Sequence, residues 1–303
     1  MKSKKVLVLL GGPSKERPVS IQSGLACCKA LKELGYNVLK LDPKKNVYKN
    51  IKSKKPDIIL NCLHGRFGED GEVQKILEKL KIPYTHSGIG SSQKAMDKIK
   101  SKKIFKKKNI LSPNYKLIKK IKDLQNKISN NKFIIKPVNE GSSFGVKIYE
   151  DLNKKALREI KIQLKKYKIL IQEEFIDGQE IQTAVLGNKA IGSVEIRPKR
   201  KFYDYKAKYS SSAKTLHLIP PKINRTIHKS IKKIALKAHK SLNCRGVTRS
   251  DFILSKNKKI YLLELNTQPG MTKLSLVPEI AKYYGLSFNR LVDWMINDAS
   301  IKR

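Results

Sequence analysis

The chain has 303 residues, 40% of them apolar, which is enough for two or three domains with real cores and excludes a disordered or fibrous protein. No apolar run approaches the roughly 18 residues of a membrane helix. Residues 6–10, behind Met1-Lys-Ser-Lys-Lys, are too few for a signal-peptide core, so a cytoplasmic location is expected. Lys and Arg number 66 against 25 Asp and Glu, a net charge of +41.

That charge raises nucleic-acid binding as a function class. Its make-up argues against it: 56 of the basic residues are lysines, spread along the whole chain, and ten are arginines. Arg is the residue that reads bases and phosphates with a bidentate fork. Weak, salt-sensitive attraction to polyanions is expected, without a specific nucleic-acid partner.

In chain order, residues 6–10 read as a strand buried on both faces, ending at Gly11-Gly12. Ser20 is expected to cap a helix running to about Leu34, which Gly35 stops. Strands follow at 36–41 and 57–62, the latter leading to His64-Gly65, and then a helix at 72–80. This βαβ order predicts a parallel sheet. Ligands sit beyond the carboxyl ends of such strands, where Gly11-Gly12 and His64-Gly65 lie.

The middle third predicts one helix over 92–109 before Ser112-Pro113 and a strand at 133–136. A small-residue loop, Glu140-Gly-Ser-Ser-Phe-Gly145, leads into 146–149. A Lys-rich helix at 153–166 and a strand at 169–172 follow. In the last third, 182–186 and 190–194 form a hairpin around Gly187-Asn188. Residues 202–212 read as a long aromatic loop, 225–242 as a helix, 251–254 and 259–265 as a second hairpin. Ser287 caps a last helix to about Ala299. The four cysteines, Cys27, Cys28, Cys62 and Cys244, include no CxxC pair and are expected to be reduced and packed.

Three groups carry candidate chemistry. Arg249-Ser-Asp251 and Glu264-Leu-Asn266 lie on the two strands of the second hairpin, where alternation puts each pair on one face. Two carboxylates and an amide oxygen are hard ligands suited to Mg²⁺; an exposed hairpin face would show the same pattern. Lys98, Lys136 and the 140–145 loop could hold phosphate through point charges and backbone N–H groups, although the loop also reads as an ordinary turn. Residues 172–180 pass from a strand end into a carboxylate-rich stretch that suits adenine and ribose, or an interdomain linker.

Taken together and in this order, the pieces resemble the ATP-grasp superfamily. Within it they resemble the D-alanine–D-alanine ligase family over nearly the full length. The resemblance rests on Leu10-Gly-Gly-Pro-Ser-Lys-Glu-Arg-Pro-Val-Ser20, Leu63-His-Gly-Arg-Phe-Gly-Glu-Asp-Gly71, Met96-Asp-Lys98, Lys136-Pro137, the 140–145 loop, Phe202-Tyr-Asp-Tyr-Lys-Ala-Lys-Tyr209, Glu264-Leu-Asn-Thr-Gln-Pro-Gly-Met-Thr272 and Ser275-Leu276.

The resemblance implies an α/β fold, α+β overall: a Rossmann-like parallel-sheet domain at 1–90, a central subdomain at 91–175, and a catalytic subdomain at 176–303 with a lid at 202–212, the last two clasping ATP. It implies that ATP phosphorylates one D-alanine and that a second D-alanine attacks the acyl phosphate, giving D-alanyl-D-alanine for peptidoglycan in a bacterial cytoplasm. Two Mg²⁺ (or Mn²⁺) would be held by Asp251, Glu264 and Asn266, with a monovalent cation such as K⁺ as a further cofactor. Lys98, Lys136, Glu140, Ser142 and Ser143 would contact the phosphates. Glu173, Phe175, Ile176 and Glu180 would hold adenine and ribose. Glu16 and His64 would receive the first D-alanine. Lys208, Arg249, Ser275 and Leu276 would receive the carboxylate of the second. Arg249 and the Gly270 N–H would form an oxyanion hole. Tyr209 would close the site through Ser142 and Glu16, a trio that favours an amine over the hydroxyl nucleophile of D-alanyl-D-lactate relatives. Glu173-Glu174 departs from a more usual Glu-Lys. A homodimer is expected, with no membrane partner.

Overall fold

The computed structural model describes residues 4–125, 132–198 and 215–303. Three sheets organise the described residues, and each arises from a different sequence pattern. The first holds β1 (Lys5–Leu9), β2 (Asn37–Leu41) and β3 (Ile58–Asn61), parallel and in the order β2-β1-β3. Val6, Leu7, Val8 and Leu9 are all fully buried, as an unbroken apolar strand covered on both faces must be. One face packs on α2 (Val47–Lys54) and α3 (Glu72–Leu80), the other on α1 (Arg17–Glu33).

The helix expected to start at Ser20 starts three residues earlier, at Arg17, with Pro18 in its first turn. Ser20 lies inside it, and its hydroxyl accepts from the Gly11 N–H at 2.8 Å and donates to the Cys62 carbonyl at 2.7 Å. Its partners are the two strand ends rather than its own helix. Gly11, at φ +87°, is required to be glycine: a Cβ would lie 2.7 Å from the Asp42 carboxylate and 2.8 Å from the Arg17 guanidinium.

The single helix expected over 92–109 is two, α4 (Ile89–Met96) and α5 (Lys98–Lys107). Asp97 breaks the run with an extended backbone, and its carboxylate accepts from the Ile99 and Lys100 N–H groups at 3.0 Å. The cap re-aims Lys98 at the head of the new helix. The domain limit expected after residue 90 falls inside α4.

The second sheet is antiparallel, in the order β4-β7-β5-β6, built from β4 (Tyr115–Ile118), β5 (Phe133–Pro137), β6 (Lys147–Tyr149) and β7 (Leu170–Glu174). α6 (Lys154–Tyr167) covers a small core of Ile118, Phe133, Ile135, Ile160 and Leu170. Glu173 and Glu174 belong to β7, not to a linker.

The third sheet orders β10-β9-β8-β11-β12, antiparallel, from β8 (Gly178–Leu186), β9 (Lys189–Arg197), β10 (Leu216–Leu218), β11 (Val247–Ser255) and β12 (Ile260–Asn266). One face packs on α5 and α7 (Arg225–Ser241). The other shares a core with the first sheet, α1, α8 (Leu276–Tyr283) and α9 (Phe288–Asp298). The four cysteines are buried and unpaired. Among the described residues no helix is long and apolar enough to cross a membrane.

Candidate active site

The β11–β12 hairpin sets the centre of the site. Arg249 pairs with Asn266 and Asp251 with Glu264 across the ladder, so the four polar side chains expected to converge sit in two rungs of one face, with the Ser250–Leu265 rung between them. A bulge between Asp251 and Phe252 gives β12 one extra residue, Leu263, beside the carboxylates. Arg249 grips Asp251 with a two-point fork, Nε to Oδ1 at 2.8 Å and Nη2 to Oδ2 at 2.9 Å. This geometry fixes the guanidinium plane and leaves each carboxylate oxygen a further lone pair.

Two cavities meet at this hairpin. The larger, about 540 Å³, runs between the second and third sheets; the smaller, about 50 Å³, lies toward α1 and the first sheet. Lys98, Glu140 and Glu264 line both. Lys98 donates to the Glu140 carbonyl at 2.6 Å and lies 3.6 Å from Glu264. Burial draws the Lys98 ammonium below its ordinary pKa, Glu264 opposes that shift and Lys136 adds to it.

The larger cavity brings together Lys98, Lys136, Glu140, Ser143, Glu173, Phe175, Ile176 and Glu180, eight of the nine residues assigned to the nucleotide by resemblance, with Asp251. Ser142 lies in the smaller cavity instead. It donates to Glu16, tying the 140–145 loop to the start of α1. Ser142 and Ser143 both take left-handed backbone, at φ +48° and +60°. Two such non-glycine residues in succession store strain typical of functional loops.

Glu173 lines the larger cavity and also has two partners beneath it. Its carboxylate is fully buried and ion-paired to Lys136 and Lys102. Burial pushes the carboxyl up, and the two ammonium groups outweigh that and hold it below its ordinary value. The carboxylate therefore anchors two lysines. Glu174, in place of the usual lysine, accepts from the Asn114 side-chain amide at 3.0 Å.

The smaller cavity gathers Glu16, His64, Arg249, Asn266 and Gly270. His64 meets Glu69 through Nδ1 at 3.0 Å and Ser23 through Nε2 at 3.4 Å. Burial lowers the His64 pKa, but the Glu69 hydrogen bond and the Glu69 and Glu16 charges outweigh it, and the net shift is upward. Gly270 must lack a side chain, because a Cβ would lie 2.7 Å from the Ser275 hydroxyl. Ser275 and Leu276 line neither cavity. The Ser275 hydroxyl accepts from the Thr272 N–H at 2.9 Å, stiffening the turn that presents Gly270. Lys208, Tyr209 and the 202–212 lid lie outside the described residues.

The sequence reading missed several supports. Glu69 stands in a quoted motif and had no assigned partner. Asn61 donates to Gln268 at 2.8 Å and Gln268 donates to the Leu63 carbonyl, locking the 266–272 turn to the first sheet. Lys102 carried one signal, its position one helical turn after Lys98.

The metal donors fit. Among the described residues no three His, Cys, Asp or Glu side chains cluster to enclose an ion. The available donors are two carboxylates and an amide on the wall between the cavities. Mg²⁺ is commonly bound this way, by one or two carboxylates with substrate phosphates and water completing its shell.

Comparison with known proteins agrees with this geometry. Family models described as D-ala D-ala ligase C-terminus and D-ala D-ala ligase N-terminus match residues 104–297 and 40–87. The D-alanine–D-alanine ligase of Pelagibacter ubique is 54% identical, covering 99% of this chain and 100% of the relative. The D-alanine–D-alanine ligase B of Mesorhizobium japonicum is 46% identical, covering 100% of both. The crystal structure of the Bacillus anthracis ligase complexed with ATP superposes with a TM-score of 0.83 at 29% identity, covering 98% of this chain and 97% of that one. A second structure of the Bacillus anthracis ligase gives 0.85 at 32% identity, with the same coverage. The chain belongs to the D-alanine–D-alanine ligase family, ATP-dependent ligases of the ATP-grasp fold that make D-alanyl-D-alanine for peptidoglycan.

Proposed function

We propose that the larger cavity takes ATP, the smaller takes D-alanine, and the wall they share is where phosphoryl transfer occurs. The observation that carries this reading is that Lys98, Glu140 and Glu264 line both cavities.

Phosphoryl transfer needs positioning and charge neutralisation more than covalent help. Lys98 and Lys136 supply point charges to the phosphates, and Ser143 with the amides of its loop covers the terminal one. Asp251, Glu264 and Asn266 would hold the two Mg²⁺ ions, which would supply charge neutralisation at the phosphates. Phe175 and Ile176 flank adenine, and Glu180 accepts from the ribose. Glu173 acts from beneath, as the anchor of Lys136.

In the smaller cavity Glu16 receives the ammonium of the first D-alanine, with His64 beside it. The D-alanine carboxylate attacks the γ-phosphorus, ADP leaves, and an acyl phosphate results. The amine of the second D-alanine attacks the acyl carbon, and phosphate leaves with the carboxylate oxygen that had joined it. Arg249, held in plane by Asp251, and the Gly270 N–H face the oxyanion of that tetrahedral centre. Lys208 and Tyr209 are proposed to close the site, and Ser275 and Leu276 to flank the second carboxylate.

The test is phosphate release from ATP and Mg²⁺ with D-alanine, L-alanine, or D-alanine plus D-lactate, with products separated by mass. Dipeptide from D-alanine alone is the expected result. Depsipeptide as the main product would contradict the assignment of the amine nucleophile, and no turnover would contradict the reading as a whole.

A further inference from the structure

Lys102 is a buried charge for which the reaction has no use. It lies on α5, is 2% exposed, and lines neither cavity. Lysine is almost never this buried without a partner. Its ammonium is ion-paired with Glu173, donates to the Pro113 carbonyl at 3.3 Å, and stands 5.5 Å from the centre of the Tyr115 ring. Glu173 is paired on its other side with Lys136, which does line the larger cavity. From the interior outward the order is therefore Lys102, Glu173, Lys136: two cations on one carboxylate.

The charge sum gives this order a consequence. A lone Lys136–Glu173 pair is neutral, and a buried neutral pair offers little to a triphosphate. With Lys102 behind it the trio carries one net positive charge. Lys102 has no path to the cavity, so Lys136 is the member through which that charge is felt there. Burial draws the Lys102 ammonium below its ordinary pKa, with Glu173 opposing and Lys136 and Lys98 adding to it, and the two lysines hold the Glu173 carboxyl below its ordinary value.

We propose that Lys102 is a positioning residue for nucleotide binding: by pairing with Glu173 from the interior, it leaves the charge of Lys136 uncompensated and directed at the phosphates of ATP. This inference rests on the ATP reading of the larger cavity.

The experiment measures ATP affinity by calorimetry, and KM for ATP and for D-alanine, on the full chain. The variants are Lys102→Met, Lys102→Arg and the double variant Lys102→Met with Glu173→Gln. Lys102→Met is expected to weaken ATP about tenfold, with the KM for D-alanine and kcat at saturating ATP changed by less than about threefold. Lys102→Arg keeps the charge and should recover part of the affinity. The double variant removes the carboxylate that would neutralise Lys136, along with that lysine's anchor, and should bind ATP more tightly than Lys102→Met alone.

Unchanged ATP affinity in Lys102→Met would overturn the inference. So would a double variant as weak as the single one, because a residue that only fills space is not rescued by removing its partner's charge. If Lys102→Met does not fold, as melting would show, Lys102→Gln takes its place in both comparisons: a loss of about tenfold in ATP affinity supports the proposal, and an unchanged affinity overturns it. A folded wild-type chain that binds no ATP overturns the ATP reading and this inference together. A loss confined to the variant comparisons leaves the ATP reading standing.

Discussion

The larger cavity, about 540 Å³, combines an apolar lining that includes Ile134, Val146, Ile148, Phe175 and Ile196 with charged groups such as Lys98, Lys136, Glu180 and Asp251. The smaller, about 50 Å³, is walled by Glu16, His64, Glu69, Ser142 and Arg249. An apolar slot with a few convergent polar groups suits a flat base and its sugar. A small pocket of opposed charges suits a zwitterion with only a methyl group to bury. The difference shows how this fold separates affinity from chemistry: one side holds a large substrate by shape, the other orients a small one by charge, and the reaction is confined to the residues they share.

Substitutions on the shared wall should damage both sides, and substitutions on one side should damage only that side. The largest effect is expected from Glu264→Gln, which touches both cavities and removes a carboxylate donor: kcat should fall by about 10³ or more with the melting temperature little changed. A kcat within tenfold of wild type would break the comparison. Gly270→Ala forces a Cβ against Ser275 and displaces one oxyanion donor, so kcat should fall by about 10²–10³. ATP affinity, measured by calorimetry, should stay put.

Glu16→Gln and Ile148→Trp form a contrasting pair. The first should raise the KM for D-alanine by about tenfold or more and spare ATP, and the second should do the reverse. Crossed effects would mean the cavities are misassigned.

The smallest effect is a pH dependence. The folded pKa of His64 is raised, so its contribution to stability is fully present below its unfolded value, about 6.5, and is lost as pH rises through the folded value. Stability should therefore decline more over that rise in wild type than in His64→Gln. KM for D-alanine should climb across the same window while KM for ATP stays flat. A KM for ATP that moves with it would place His64 in the wrong cavity.

How much of this was legible in the sequence varied from residue to residue. Arg249, Asp251, Glu264 and Asn266 stood out because alternation put polar side chains where a strand in a core should be apolar. The buried first strand was equally plain. The break between α4 and α5 was hidden because Asp97 interrupts an otherwise continuous helical pattern, and only its capping bonds reveal a new start. Ser20 looked like a cap because its residue type is one, yet its hydroxyl serves two strand ends distant in sequence. Lys102 was lost among 56 lysines, and only burial separates it from its solvated neighbours. Glu173 was assigned by resemblance to adenine, and only the three-dimensional packing shows its carboxylate between two ammonium groups. Local pattern exposes groups that violate their own element's expectations; partners brought together by tertiary folding leave no local mark.

The central claim is that a carboxylate in the smaller cavity receives the phosphoryl group from the larger one across the shared wall. The most direct measurement uses D-alanine labelled with ¹⁸O in its carboxylate, with ATP and Mg²⁺, and mass analysis of the phosphate released. One labelled oxygen is expected in each phosphate, carried from the carboxylate when the second amine displaces it. Phosphate without label, formed alongside dipeptide, would contradict it.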